Sequence, residues 1–227
     1  MTWVRLLTSI GFLVLICPVA AQIRLADSAF QRPKVVANIL YDVAFCFPNG
    51  SNLPPILVQN DPTGPRTNYR RNLNGEIIVV LNIEPRQYAR LVYQFAHELI
   101  HIFAGLTPRP PELLWLEETL AETGSLFALR QLALRWQTKP PHPSLRGYHQ
   151  HLFRYAQNII TLRKPIPSGE LSGFLRKSRT RLIQRPLNRP LFSTIAVTLL
   201  PTFEKQPEKW NLLTKFPPDK RGAPDEQ

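Results

Sequence analysis

The sequence predicts an α+β fold, with a small N-terminal β-sheet followed by a predominantly helical region. Three observations support this. Glu76 to Ile83 contains Ile77, Ile78, Val79, Val80, Leu81 and Ile83, a mainly β-branched run that reads as a strand. From Arg86 to Ala104 there is no Pro or Gly, and Tyr88, Leu91, Val92, Phe95, Leu99, Ile102 and Phe103 recur at spacings of three and four, the stripe of an amphipathic helix. Beyond Pro111 the chain reads as successive helical segments divided by prolines, of which the whole sequence holds 23.

In chain order, residues 1–21 read as a secretory signal. Arg5 supplies a short positive start, Leu6 to Cys17 an apolar stretch broken by Pro18, and Val19-Ala20-Ala21 a small-residue cleavage site before Gln22. An uncleaved N-terminal anchor is the alternative, but the run is short for a span. Ile16 before Cys17 does not suit a lipoprotein signal. The mature chain is then exported, periplasmic or secreted, and long enough for one domain with a real core. Cys17 leaves with the signal, so Cys46, in an apolar run, is expected as a buried and inert thiol with no internal disulfide.

Residues 22–50 read as a helix or strand followed by an apolar strand near Leu40 to Phe47. Residues 50–75, with Pro54, Pro55, Pro62, Gly64 and Pro65, read as loop. The helix over Arg86–Ala104 has Glu84 and Pro85 at its start and Gly105 and Pro108 past its end. A rigid turn, Thr107-Pro108-Arg109-Pro110-Pro111, leads into a second helix from about Pro111 to Gln137. Thr138 to Pro143 is a linker. Helices are expected at 144–162, 170–183 and 189–204, a short one near 206–215, and a polar tail from Pro217 to Gln227.

The chemistry is concentrated in His97-Glu98-Leu99-Ile100-His101, an HExxH pattern inside the first of these helices. With about 3.6 residues per turn, residues four apart share a face, so His97 and His101 aim two imidazoles at one metal ion. Glu98, roughly 100° around the helix, reaches a water on that metal. This is the donor set of zinc hydrolysis: two nitrogen ligands, a third ligand, and a carboxylate base beside an open position. The proline turn folds the second helix back antiparallel, which brings Glu118 of Trp115-Leu116-Glu117-Glu118-Thr119-Leu120-Ala121-Glu122 to the histidines as the third ligand. Glu117 is its rival, but Ala121 and Ser125 on the Glu118 face let the helices approach. Glu122, one turn on, is placed to hydrogen-bond the distal nitrogen of a ligand histidine and fix its tautomer.

The pair HELIH…WLEETLAE resembles the gluzincin-type zinc metallopeptidases of the peptidase MA-like superfamily. In aminopeptidase-like members the second segment reads close to WLNEGFAE. Trp115 and Leu116 match, Glu117 replaces Asn, Glu118 falls on the ligand, and Glu122 falls on the second acidic position. The resemblance covers about Gly75 to Ala128. It departs in a shorter spacer between His101 and Glu118 and in the lack of a GxMEN-like exopeptidase motif. It implies a zincin-like metallopeptidase domain over 22–216, Zn2+ as cofactor, a peptide or protein substrate, and a strand at Glu76–Ile83 forming the edge of the cleft. Tyr148, His149, His151 and Tyr155, clustered after the linker, are the residues considered for stabilising an oxyanion.

The formal net charge is +12, with Arg66, Arg70 and Arg71 in one group and Arg176, Lys177, Arg179, Arg181 and Arg185 in a denser one. An anionic membrane or envelope surface fits such charge, whereas no nucleic-acid motif accompanies it. The competing reading is a non-catalytic zincin-like envelope protein that binds a partner or anionic surface. Spacing leaves the oligomeric state open.

Overall fold

The computed structural model describes residues 22–217 apart from 27 and 168. Residues 1–21, read above as a signal, and the tail beyond Pro217 lie outside the described residues. The architecture is mixed α+β: a four-stranded sheet and a larger helical part.

Strand β1 (Ile23–Leu25) leads into α1 (Pro33–Ala44), which returns the chain to β2 (Ile56–Asn60), parallel to β1 with Ile23 beside Ile56. β4 (Ile77–Leu81) is parallel to β2, Ile56 beside Ile77, and β3 (Arg66–Thr67) runs antiparallel along its other side, Thr67 beside Val79. The order is β1-β2-β4-β3. β4 is therefore interior, and the two-residue β3 forms the edge expected of it. Arg24 on β1 grips Glu76, next to β4, through two bonds of 2.8 and 2.7 Å, and Asn72 adds a third at 2.8 Å.

Two early expectations are corrected. The run at Leu40–Phe47 is no strand: Val35, Val36, Ile39, Leu40, Val43 and Ala44 are buried at helical spacing and form the inner face of α1. Residues 50–75 are not all loop, since Ile56, Leu57 and Val58 are buried in the middle of the sheet. The prolines on both sides of this five-residue run masked it. Cys46 is only partly buried as a residue, but its thiol is packed and donates to the Asp42 carbonyl. Burial, opposed by Arg135 and helped by Asp42, pushes it up to about 12, so it stays protonated.

Helix α2 (Tyr88–Phe103) starts two residues later than its sequence suggests. Arg86 takes a left-handed backbone with φ 68°, which interrupts a helix that would otherwise run from Pro85. The Tyr148 hydroxyl then accepts from the Ala89 N–H, satisfying one of the unpaired donors of the new first turn. α3 (Pro111–Arg135) is the central helix and is touched by α1, α2, α4 (His149–Arg163), α5 (Leu171–Gln184) and α6 (Arg189–Lys205). A 3₁₀ segment, Pro207–Lys215, seats Trp210 against Phe203, Phe47 and Phe127. Among the described residues no helix is long and apolar enough to cross a membrane.

Candidate metal centre

Helices α2 and α3 form an antiparallel pair. The Ser125 hydroxyl donates to the Tyr93 carbonyl at 2.9 Å near one end, and His101 meets Glu117 at the other. Gly124 faces Ile100, and a Cβ at that position would lie 2.5 Å from Ile100 Cγ1. This close approach brings the Glu118 carboxylate to both histidines. Its Oε2 lies 3.5 Å from His97 Nε2 and its Oε1 lies 3.8 Å from His101 Nε2.

The three ligand atoms lie within 4.8 Å of one another. Bonds of about 2.0–2.2 Å in a tetrahedral site put ligand atoms roughly 3.3–3.6 Å apart. Two imidazole nitrogens and one carboxylate oxygen are also the donor types zinc takes when one position stays open. His97, His101 and Glu118 therefore fit the ion. All three side chains are partly exposed, so the site opens to solvent on one side.

Glu117, the rival third ligand, takes the place expected of Glu122. The carboxylate on a ligand-histidine nitrogen is Glu117, whose Oε1 is 2.7 Å from His101 Nδ1. Glu122, expected there, accepts instead from the Tyr93 hydroxyl and faces Arg189 at 3.5 Å. The reason is position along the helix axis. Glu117 opens toward the C-terminal end of α2, where His101 lies, whereas Glu122 is level with Tyr93, two turns earlier. The Glu117 contact leaves His101 Nε2 facing Glu118.

The charges respond accordingly. Burial works against a charged His101, but the Glu117 hydrogen bond and the Glu98, Glu118 and Glu117 carboxylates outweigh it and hold its pKa above the ordinary value. Burial likewise opposes ionised Glu118, yet His97, His101 and Arg189 hold its carboxyl below the usual range.

A cavity of about 250 Å³ opens onto this centre, lined by Pro65, Arg66, Thr67, Tyr69, His97, Glu98, His101, Leu106 and Glu118. Glu98 is buried, and its Oε2 accepts from the Thr67 hydroxyl at 2.7 Å. The edge strand thus orients this carboxylate. Two residues on, Tyr69 lines the same cavity, and burial and the nearby Glu117, Glu118 and Glu98 carboxylates, opposed by Arg109, raise its pKa.

None of Tyr148, His149, His151 and Tyr155 lines this cavity. Tyr148 caps α2 and packs on His151, and Tyr155 packs on Tyr93. His149 lines a larger space of about 540 Å³ between α3 and α4, which holds no metal-ligand set. Thr67, Tyr69 and Arg109 were missed in the sequence. Thr67 and Tyr69 belong to no motif, while the one charged residue among the prolines of the Thr107–Pro111 turn was a usable signal for Arg109.

No protein-family model matches the chain, and no curated protein or solved structure matches it either.

Proposed function

We propose that this chain is an exported, zincin-like, zinc-dependent peptidase of the gluzincin kind. The observation that carries this reading is the meeting of His97, His101 and Glu118 in the cavity that also presents Glu98. His97 Nε2, His101 Nε2 and the Glu118 carboxylate would hold the ion. Zinc, when bound, lowers the pKa of a coordinated water and polarises a carbonyl oxygen. Thr67 fixes Oε2 of Glu98, leaving Oε1 to take a proton from the attacking water and pass it to the leaving amine. Tyr69, which lines the same cavity, would supply its hydroxyl as the donor for the oxyanion developing on the substrate.

Glu98→Gln tests this directly. Zinc per chain is expected to stay at the wild-type level, while peptide-library hydrolysis falls by about 10²–10⁴-fold. A variant that turns over at the wild-type rate sinks the mechanism. Substoichiometric zinc in wild-type protein from zinc-replete expression sinks the metal reading.

The second reading, a non-catalytic envelope protein that meets an anionic membrane or polymer, is favoured by the exposed Arg176, Lys177, Arg179, Arg181 and Arg185 on and just after α5. Zinc uptake without cleavage of any library peptide, together with retention on anionic vesicles, would select it.

A further inference from the structure

We propose that Arg109 and the chain at Phe216–Pro217 act together as a strap that positions His101. The proposal rests on the metal reading above and adds a part to the site that neither HExxH nor the α3 motif contains.

Arg109 sits in the proline turn between α2 and α3, and its side chain is only 1% exposed. Its donors are divided among three parts of the molecule. Nε donates to Glu117 Oε2 at 2.5 Å, on α3. Nη2 donates to the carbonyl of Ala104, which ends α2 just past His101. Nη1 donates to the carbonyls of Phe216 at 3.3 Å and Pro217 at 3.1 Å, and the Phe216 ring lies 5.4 Å from the guanidinium carbon. The route from the C-terminal segment to the metal site is then continuous: Phe216 and Pro217, Arg109, Glu117, His101.

The physical consequence follows from burial. A guanidinium out of water needs its donors matched, and a buried carboxylate needs its partner. The carbonyls at 216 and 217 complete the set around Arg109, so the cation stays where its Nε holds Glu117 Oε2. With Oε2 held, Oε1 is fixed against His101 Nδ1. That acceptor favours the tautomer with the proton on Nδ1 and leaves the Nε2 lone pair facing Glu118. Arg109 is thus a positioning residue acting through Glu117, and Phe216 steadies it by covering its face. Lysine cannot replace it, because one ammonium cannot fork to a carboxylate and three carbonyls at these angles.

The experiment uses the full chain and two readouts. Zinc affinity is measured by competition with a chromophoric chelator. The His101 tautomer is read from side-chain nitrogen resonances of metal-free protein at alkaline pH. Arg109→Gln and Arg109→Lys are both expected to bind zinc about ten- to hundredfold more weakly. Phe216→Ala is expected to lose less in the same direction, and it keeps the test alive where an Arg109 variant does not fold. In wild type the His101 proton sits on Nδ1, and in the variants the two tautomers mix. Unchanged zinc affinity and tautomer in folded variants overturn the strap, as does a lowered Tm with both readouts unmoved. Full rescue by Arg109→Lys also overturns it, since charge alone would then suffice. Wild-type protein that takes up no zinc removes the metal reading, while the tautomer readout still judges the strap by itself.

Discussion

Helices α3 and α5 use charge in opposite ways. The middle of α3 buries Glu117, Thr119, Glu122, Thr123 and Ser125 along with its apolar residues, and each makes a hydrogen bond or ion pair. α5 buries only Leu182 and holds Arg176, Lys177, Arg179 and Arg181 in solvent. The middle of α3 thus holds carboxylates inside the protein, whereas α5 holds basic residues on its outside. Buried carboxylates have defined partners and defined positions, which ligation and proton transfer require. Solvated cations have neither, and their contribution is a long-range field.

The largest expected effect within α3 comes from its close contact with α2. Gly124→Ala forces a methyl group against Ile100, which is itself fully buried and has little room to yield. A loss of about 1–3 kcal/mol in denaturant unfolding is expected, with weaker zinc binding as Glu118 is pushed from the histidines. Normal stability and zinc affinity would show that the α2–α3 spacing is not what assembles the site.

Glu122→Gln tests whether the two acidic residues of α3 divide their work as their contacts suggest. Removing the charge facing Tyr93 and Arg189 is expected to cost about 1–3 kcal/mol and leave zinc affinity unchanged. A large fall in zinc affinity would return Glu122 to the role that Glu117 occupies here.

Glu76, just before β4, is a carboxylate held like those of α3 but away from the candidate metal centre. Hydrogen bonds from Arg24 and then Asn72 lower its pKa from the ordinary 4.5 to about 2. A depressed folded-state pKa contributes stability above the unfolded value, and that stability is lost as pH falls from about 4.5 toward 2. Glu76→Gln is therefore expected to be less stable than wild type at neutral pH and to converge with it near pH 2. A difference that does not shrink on acidification would show that Glu76 acts through shape rather than charge.

The smallest effect belongs to α5. Arg176→Gln with Lys177→Gln is expected to change unfolding free energy by no more than about 0.5 kcal/mol. A larger loss would mean that the outer face is held as tightly as the inner one.

Helix α2 was legible because an apolar stripe at helical spacing has to be buried on one side, whereas α3, buried on every side in its middle, carries no such stripe and was legible from the proline turn before it and its long run without proline. The short strand β2 was not, because five residues between prolines carry too little periodicity to outweigh their neighbours. β3 was less visible still, with only two residues and no apolar pattern. The four groups of the HExxH…E set were legible because helical geometry ties spacing to direction.

What the sequence by itself determined is therefore local: that the stretches of α2 to α6 are helical, though not that of α1, and that His97, Glu98 and His101 share one end of a helix. Which carboxylate meets His101 Nδ1, that Thr67 and Tyr69 line the cavity, and that Arg109 joins it to Phe216 were decided only by tertiary structure. Those contacts join residues far apart in the chain, and their geometry depends on how closely α2 and α3 pack and where the sheet edge falls. No spacing within a single element encodes either.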